Sequence, residues 1–250
     1  MTDLHFSLLQ WMVLSAAALI IGISKTGLPG IGILAIPMVA AIIPAKRSTG
    51  LILPMLIVGD VFAVAYYRRH AVWRHLLRLI PAAVAGIVAG YFALGRVNDA
   101  ELKPIMGAII FLMLAVNYWR IRWGGNHLSV PSGWWFPVCL GVLAGVTTMM
   151  ANAAGPILII YLVAMRLPKD EFLGTGAWYF LLLNCFKVPF SAELGLITSW
   201  SLRFDLLIAP LIVAGALLGV RLVKVIPERA FNVIVQLLAA FGALMLIVAR

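Results

Sequence analysis

Charge is what this sequence has least of. Asp, Glu, Lys and Arg make up 11% of its 250 residues, against about 25% in a soluble domain. Nowhere is there a polar stretch long enough to fold as a soluble unit. What fills the chain instead is apolar: 64% of the residues, with a mean hydropathy of +1.07. A spanning helix needs roughly 20 apolar residues, and the length accommodates about ten tightly connected ones. The composition therefore predicts an all-α polytopic membrane protein.

Cysteine and acidic residues are also scarce. Cys139 and Cys185 both lie in apolar runs and form no CxxC or metal-ligand spacing. His5, His70, His75 and His127 fall in loops or near the N-terminus, without helical metal spacing. No P-loop, HExxH or GxSxG is present, which removes ATP and peptide hydrolysis from consideration. Neither an enzyme activity nor a cofactor is called for. The net charge of +10 does not indicate nucleic acid, because the basic residues sit in short loops between apolar runs. That is how orientation is written into membrane proteins. No Lys or Arg precedes the first apolar run, so Leu4 to Ile23 reads as a retained helix rather than a cleaved signal.

Ten segments follow in order. Leu4 to Ile23 is broken at Ser24 to Gly30, and the short piece Ile31 to Ile43 follows. Leu51 to Tyr67, Leu76 to Leu94 and Pro104 to Trp119 complete the first half. Residues 123–132 form the linker. Trp134 to Thr147 is broken at Thr148 to Pro156, and the short piece Ile157 to Met165 follows. Phe172 to Phe190, Leu206 to Val223 and Phe231 to Val248 complete the second half. The halves overlay: Gly32 on Gly155, Pro44 on Pro168, Gly50 on Gly174, Asp60 on Asn184, Pro81 on Pro210, Gly86 on Gly215, Gly90 on Gly219. The offset changes only at loops. Residues 1–122 and 133–250 thus read as two copies of one unit within one membrane domain. Five segments is an odd number, so the second copy enters the membrane inverted. Lys/Arg of the loops after odd-numbered segments (Lys25; Arg68, Arg69, Arg74, Arg78; Arg120, Arg122; Arg166, Lys169; Arg221, Lys224, Arg229) outnumber those on the opposite side. The positive-inside rule then puts both termini outside.

Inverted repeats with helices interrupted in matching positions point to a secondary transporter with a midplane site. Half-helix starts carry unpaired N–H groups that collect anions. Pro29 and Pro156 are placed to open such half-helices, and Gly32 and Gly155 let a ligand approach the backbone. Ordinary proline kinks are the competing reading. Asn152 lies in the second break. Asn184 and Lys187 are three apart and share a helix face. An ionisable group at membrane depth is a functional-site candidate, so Lys187 either charges the cavity or snorkels to an interface. Asp60 either carries a coupling proton or pairs with Lys187 or Lys25. Lys25 either lines the first break or sets topology. Most tryptophans fall near segment ends as interfacial anchors; Trp178, two turns before Lys187, is the exception and a candidate cavity wall.

These residues resemble the TauE/SafE family of sulfite and organosulfonate exporters. Gly30-Ile31-Gly32, Pro37 and Ala45 to Gly50 carry the resemblance in the first half. Ala151 to Pro156, Tyr161, Phe172-Leu173-Gly174-Thr175, Trp178, Asn184 and Lys187 carry it in the second. It implies a transporter of sulfite, sulfoacetate or related sulfonates, an exporter driven by an ion or proton gradient in a bacterial-type plasma (inner) membrane. It adds Thr175 to the substrate contacts, although the helical spacing sets Thr175 off the Asn184 face. The alternatives left open are an uncoupled anion channel and a carrier of a non-sulfur organic anion. The partners implied are the sulfur oxyanion, the lipid bilayer and, as an open alternative, a second copy of the chain.

Overall fold

The computed structural model describes residues 6–102, 104–105, 108, 133–227 and 230. The linker and the fifth and tenth expected segments, Pro104 to Trp119 and Phe231 to Val248, lie almost wholly outside the described residues. Regular structure among the described residues is helical: α1 (Leu8–Thr26), α2 (Ala35–Ala40), α3 (Ala45–Tyr67), α4 (Trp73–Arg96), α5 (Trp135–Ala151), α6 (Gly155–Ala164), α7 (Lys169–Glu193) and α8 (Ser199–Val225). Helices α1, α3, α4 and α8 are long and apolar enough to cross a membrane. At 25 residues α7 has the length as well, but Asn184 and Lys187 interrupt its apolar stretch.

Caps explain where the helices begin. Ser7 and Gln10 form a capping box that starts α1, and Thr198 and Ser201 do the same for α8. Pro44 and Pro168 stand at the N-caps of α3 and α7. The stretches Ala45 to Ser48 and Lys169–Asp170, expected as loops, are therefore the first turns of helices. Hydropathy hides such turns, because Lys46 and Arg47 keep their charges in water while their backbone is already helical.

Both expected breaks are present. Gly27 ends α1, Gly30 takes φ 108°, and a 3-10 turn over Ile31–Leu34 leads into α2. Asn152 ends α5 in the left-handed conformation at φ 53°, where the short polar side chain of Asn is tolerated. Pro156 then sits in the first turn of α6, where its missing N–H costs nothing. The pieces after the breaks, Ile31–Ala40 and Gly155–Ala164, are 10 residues each. That is roughly 15 Å, about half a hydrocarbon core.

Two close helix pairs frame the molecule. Along α1 and α8 the contacts advance together, from Trp11 on Phe204 to Gly22 on Gly215 and Gly27 on Gly219, so the two run parallel. Along α4 and α5 they advance from Ala82 on Gly141 to Gly86 on Gly145 and Gly90 on Met149, again parallel. Small residues let the backbones touch, the usual basis of packing in lipid. Between these pairs, α3 and α7 pack on each other. At one end of the bundle, Tyr67 and His70 (after α3) meet Lys169 (start of α7) and Lys224 (end of α8). At the other end Lys46 meets Asp99, and Gly50 meets Leu196. The first break lies toward the former, basic end, where the Tyr67 hydroxyl donates to the Thr26 carbonyl at 2.9 Å. The second lies toward the other end, where the Asn152 amide donates to the Thr49 carbonyl at 3.0 Å.

Candidate functional site

The two breaks open onto one cavity of about 80 Å³. One water needs only about 10–15 Å³ of such space, so the cavity has room for several waters or a small oxyanion. Ser24, Lys25, Pro29, Gly30 and Gly32 line it from the first break; Thr148, Asn152, Gly155 and Pro156 line it from the second. Asp60 of α3 and Asn184 of α7 complete its polar wall, each about two-thirds of the way along its helix, while Ile21, Ile36, Ile52 and Ile159 give it apolar sides. A Cβ built on Gly155 would meet nothing within 4 Å, so the backbone there stands open.

Two polar networks hold this wall. In the first, Lys25 Nζ pairs with Asp60 Oδ1 at 2.7 Å, and Asn184 Nδ2 donates to Asp60 Oδ2 at 2.6 Å. The same ammonium stands 4.3 Å from the centre of the Phe180 ring, a cation–π contact. In the second, Lys187 Nζ donates to the Thr148 carbonyl (3.0 Å), the Thr148 hydroxyl (3.0 Å) and Asn152 Oδ1 (2.7 Å). Asp60, Asn184 and Lys187 are all buried. Of the partners open to Asp60, the structure gives it Lys25; Lys187 points to the second break and does not snorkel. Two of these bonds join the halves of the chain, Asn184 to Asp60 and Asn152 to Thr49.

The residues singled out from sequence divide into three groups. Lys25, Asp60, Asn152, Asn184, Gly32, Gly155 and Pro156 line the cavity. Lys187 stands directly behind Asn152 and reaches the cavity through it. Thr175 and Trp178 are not lining residues. The Thr175 hydroxyl accepts from the Val72 N–H at 2.9 Å, fastening the turn before α4, and Trp178 packs on Trp73 with ring centroids 5.3 Å apart. Sequence reasoning gave no role to Phe180, Thr148 as the Lys187 ligand, or Thr49. Helical spacing held the signal for two of them: Phe180 is one turn before Asn184, and Thr148 one turn before Asn152.

A helical bundle, among the described residues, with apolar membrane-length helices and a small cavity lined from two interrupted helices fits the class of membrane transporters. The profile of the family described as sulfite exporter TauE/SafE matches residues 14–246. The chain belongs to that family, whose membership implies an exporter-type transporter of sulfite or related sulfur anions. No curated protein and no solved structure matches the chain.

Proposed function

We propose that the protein is a secondary transporter that moves a small sulfur oxyanion, sulfite, sulfoacetate or a related sulfonate, out through the cytoplasmic membrane. The observation that carries this reading is a small cavity lined from both breaks. Gly32 and Gly155–Pro156 present backbone to the anion, Asn152 and Asn184 orient it, and Lys187 supplies charge through Asn152. Asp60 takes the coupling proton: protonation releases Lys25 and lets its ammonium turn toward the ligand.

Two inverted five-segment repeats supply the motion. In support, the residues that pack α1 on α8 (Gly22, Gly215) are the repeat counterparts of those that pack α5 on α4 (Gly145, Gly86). Asp60 and Asn184, counterparts of each other, are bonded together, as residues near a two-fold axis would be. The two breaks approach from opposite ends. Rocking of one repeat against the other would open the cavity alternately to the two sides. The basic end faces the cytoplasm and both termini face out.

Purified protein in liposomes loaded with radiolabelled sulfite tests this. Efflux should accelerate when a proton gradient is imposed. Flux that ignores the gradient would make the protein a passive pathway, and no sulfite flux would sink the substrate assignment.

A further inference from the structure

The cavity discriminates between ionic forms of its ligand. Three ionic groups stand at it or directly behind it. Lys25 and Asp60 cancel each other at 2.7 Å. Among the described residues, Lys187 has only neutral oxygens as hydrogen-bond partners, two from Thr148 and one from Asn152. When protonated, Lys187 is thus a positive charge with no counter-charge within hydrogen-bond reach. A monoanion would balance it, whereas a dianion would leave the site negative. Dehydrating an ion also becomes more costly with the square of its charge, which penalises the dianion again.

Asn184 adds an independent constraint. A carboxylate only accepts hydrogen bonds, so the 2.6 Å contact with Asp60 fixes which side of the amide carries nitrogen. The other atom, Asn184 Oδ1, is buried without a hydrogen-bond partner. It is an acceptor, and a fully deprotonated oxyanion would set lone pairs against it. An anion that keeps an acidic O–H has the donor it lacks.

Building on the site proposed above, we infer that, while the Lys25–Asp60 pair is closed, the cavity selects a small oxyanion in its monoprotonated, singly charged form. The O–H of the ligand donates to Asn184 Oδ1, and its charge balances Lys187. Hydrogensulfite has this form. An alkyl sulfonate has the charge without the proton, and sulfate at neutral pH has neither the single charge nor the proton.

Calorimetric titration of the full chain in nanodiscs with sulfite, methanesulfonate and sulfate, at pH values on both sides of the second ionisation of sulfite, tests the inference. The apparent affinity for sulfite should fall about tenfold per pH unit above that ionisation, following the competent fraction. Methanesulfonate does not titrate there and reports any change in the protein itself; the fall for sulfite is read relative to it, and below that ionisation methanesulfonate should bind about tenfold more weakly than hydrogensulfite, the worth of about one hydrogen bond. Asn184→Leu should erase that difference. Asp60→Asn uncovers Lys25, so sulfate should gain about tenfold or more. Sulfite affinity that rises with pH, or sulfate bound by the native chain as tightly as methanesulfonate, overturns the inference and leaves the site in place. Absence of binding by all three anions overturns the site assignment as well.

Discussion

Residue by residue, the proposed site separates side chains that hold the fold from those that would hold the ligand. Asp60 does both. Its loss in Asp60→Ala strands Lys25 in the membrane interior, and breaking a buried pair costs about 3–5 kcal/mol. The melting temperature in detergent should fall clearly, along with sulfite flux. Lys187 is different, because its partners are neutral and no carboxylate is stranded when it goes. In Lys187→Met the stability should change by no more than about 1–2 kcal/mol, while sulfite flux is lost. Native flux in that variant would remove Lys187 from the site. The sequence made Lys25, Asp60, Asn184 and Lys187 legible because charges and amides are rare inside apolar runs. Thr49, Thr148 and Phe180 were not legible in the same way. Threonine and phenylalanine are ordinary in a membrane helix; spacing from Asn184 and Asn152 alone marked Phe180 and Thr148, and only the distances of the fold give Thr49 a part.

At the level of elements, glycines with opposite surroundings allow a paired experiment. A Cβ on Gly145 would run into the Ala83 carbonyl and the Gly86 backbone. Gly145→Ala should therefore push α5 away from α4 and cost about 1–3 kcal/mol, read as a lower melting temperature. Gly155 stands at the open start of α6 with nothing near its would-be Cβ. Gly155→Ala should melt with the native chain within about 0.5 kcal/mol, yet place a methyl where the anion approaches, and sulfite efflux should slow several-fold. Equal melting losses in the two variants would show that the space at Gly155 is not a ligand position. Both interrupted helices were visible as Gly, Pro and Asn within apolar runs. The starts of α3 and α7 were not, because their first turns carry Lys46, Arg47, Lys169 and Asp170, which read as loop.

For the whole molecule, the prediction concerns orientation. The ends of α3 and α8 and the starts of α4 and α7 gather Arg68, Arg69, Arg74, Lys169 and Lys224 at one pole, and the positive-inside rule assigns that pole to the cytoplasm. In intact cells, with Cys139 and Cys185 replaced by Ala, a membrane-impermeant maleimide should label Arg96→Cys and leave His70→Cys unlabelled. The reverse pattern would invert the molecule. Membrane residence and the broken helices could be read from composition and punctuation, since both are local properties of the chain. The pairing of α1 with α8 and of α4 with α5 could not. It depends on which glycines meet across as many as about 190 residues of separation, and one chain read alone gives small residues no address.

The bonds that fasten the two halves at the cavity, Asn184 to Asp60 and Asn152 to Thr49, come from the same amides that would grip the anion. An incoming ion does not simply fill a vacancy; at Asn152 it competes with the Thr49 carbonyl for the amide donor. Transport then follows the logic of a substitution reaction, in which one set of ligands leaves as another arrives. Turnover would be governed by the departing set, and a mutant that tightened these fasteners would be a sturdier protein and a slower carrier.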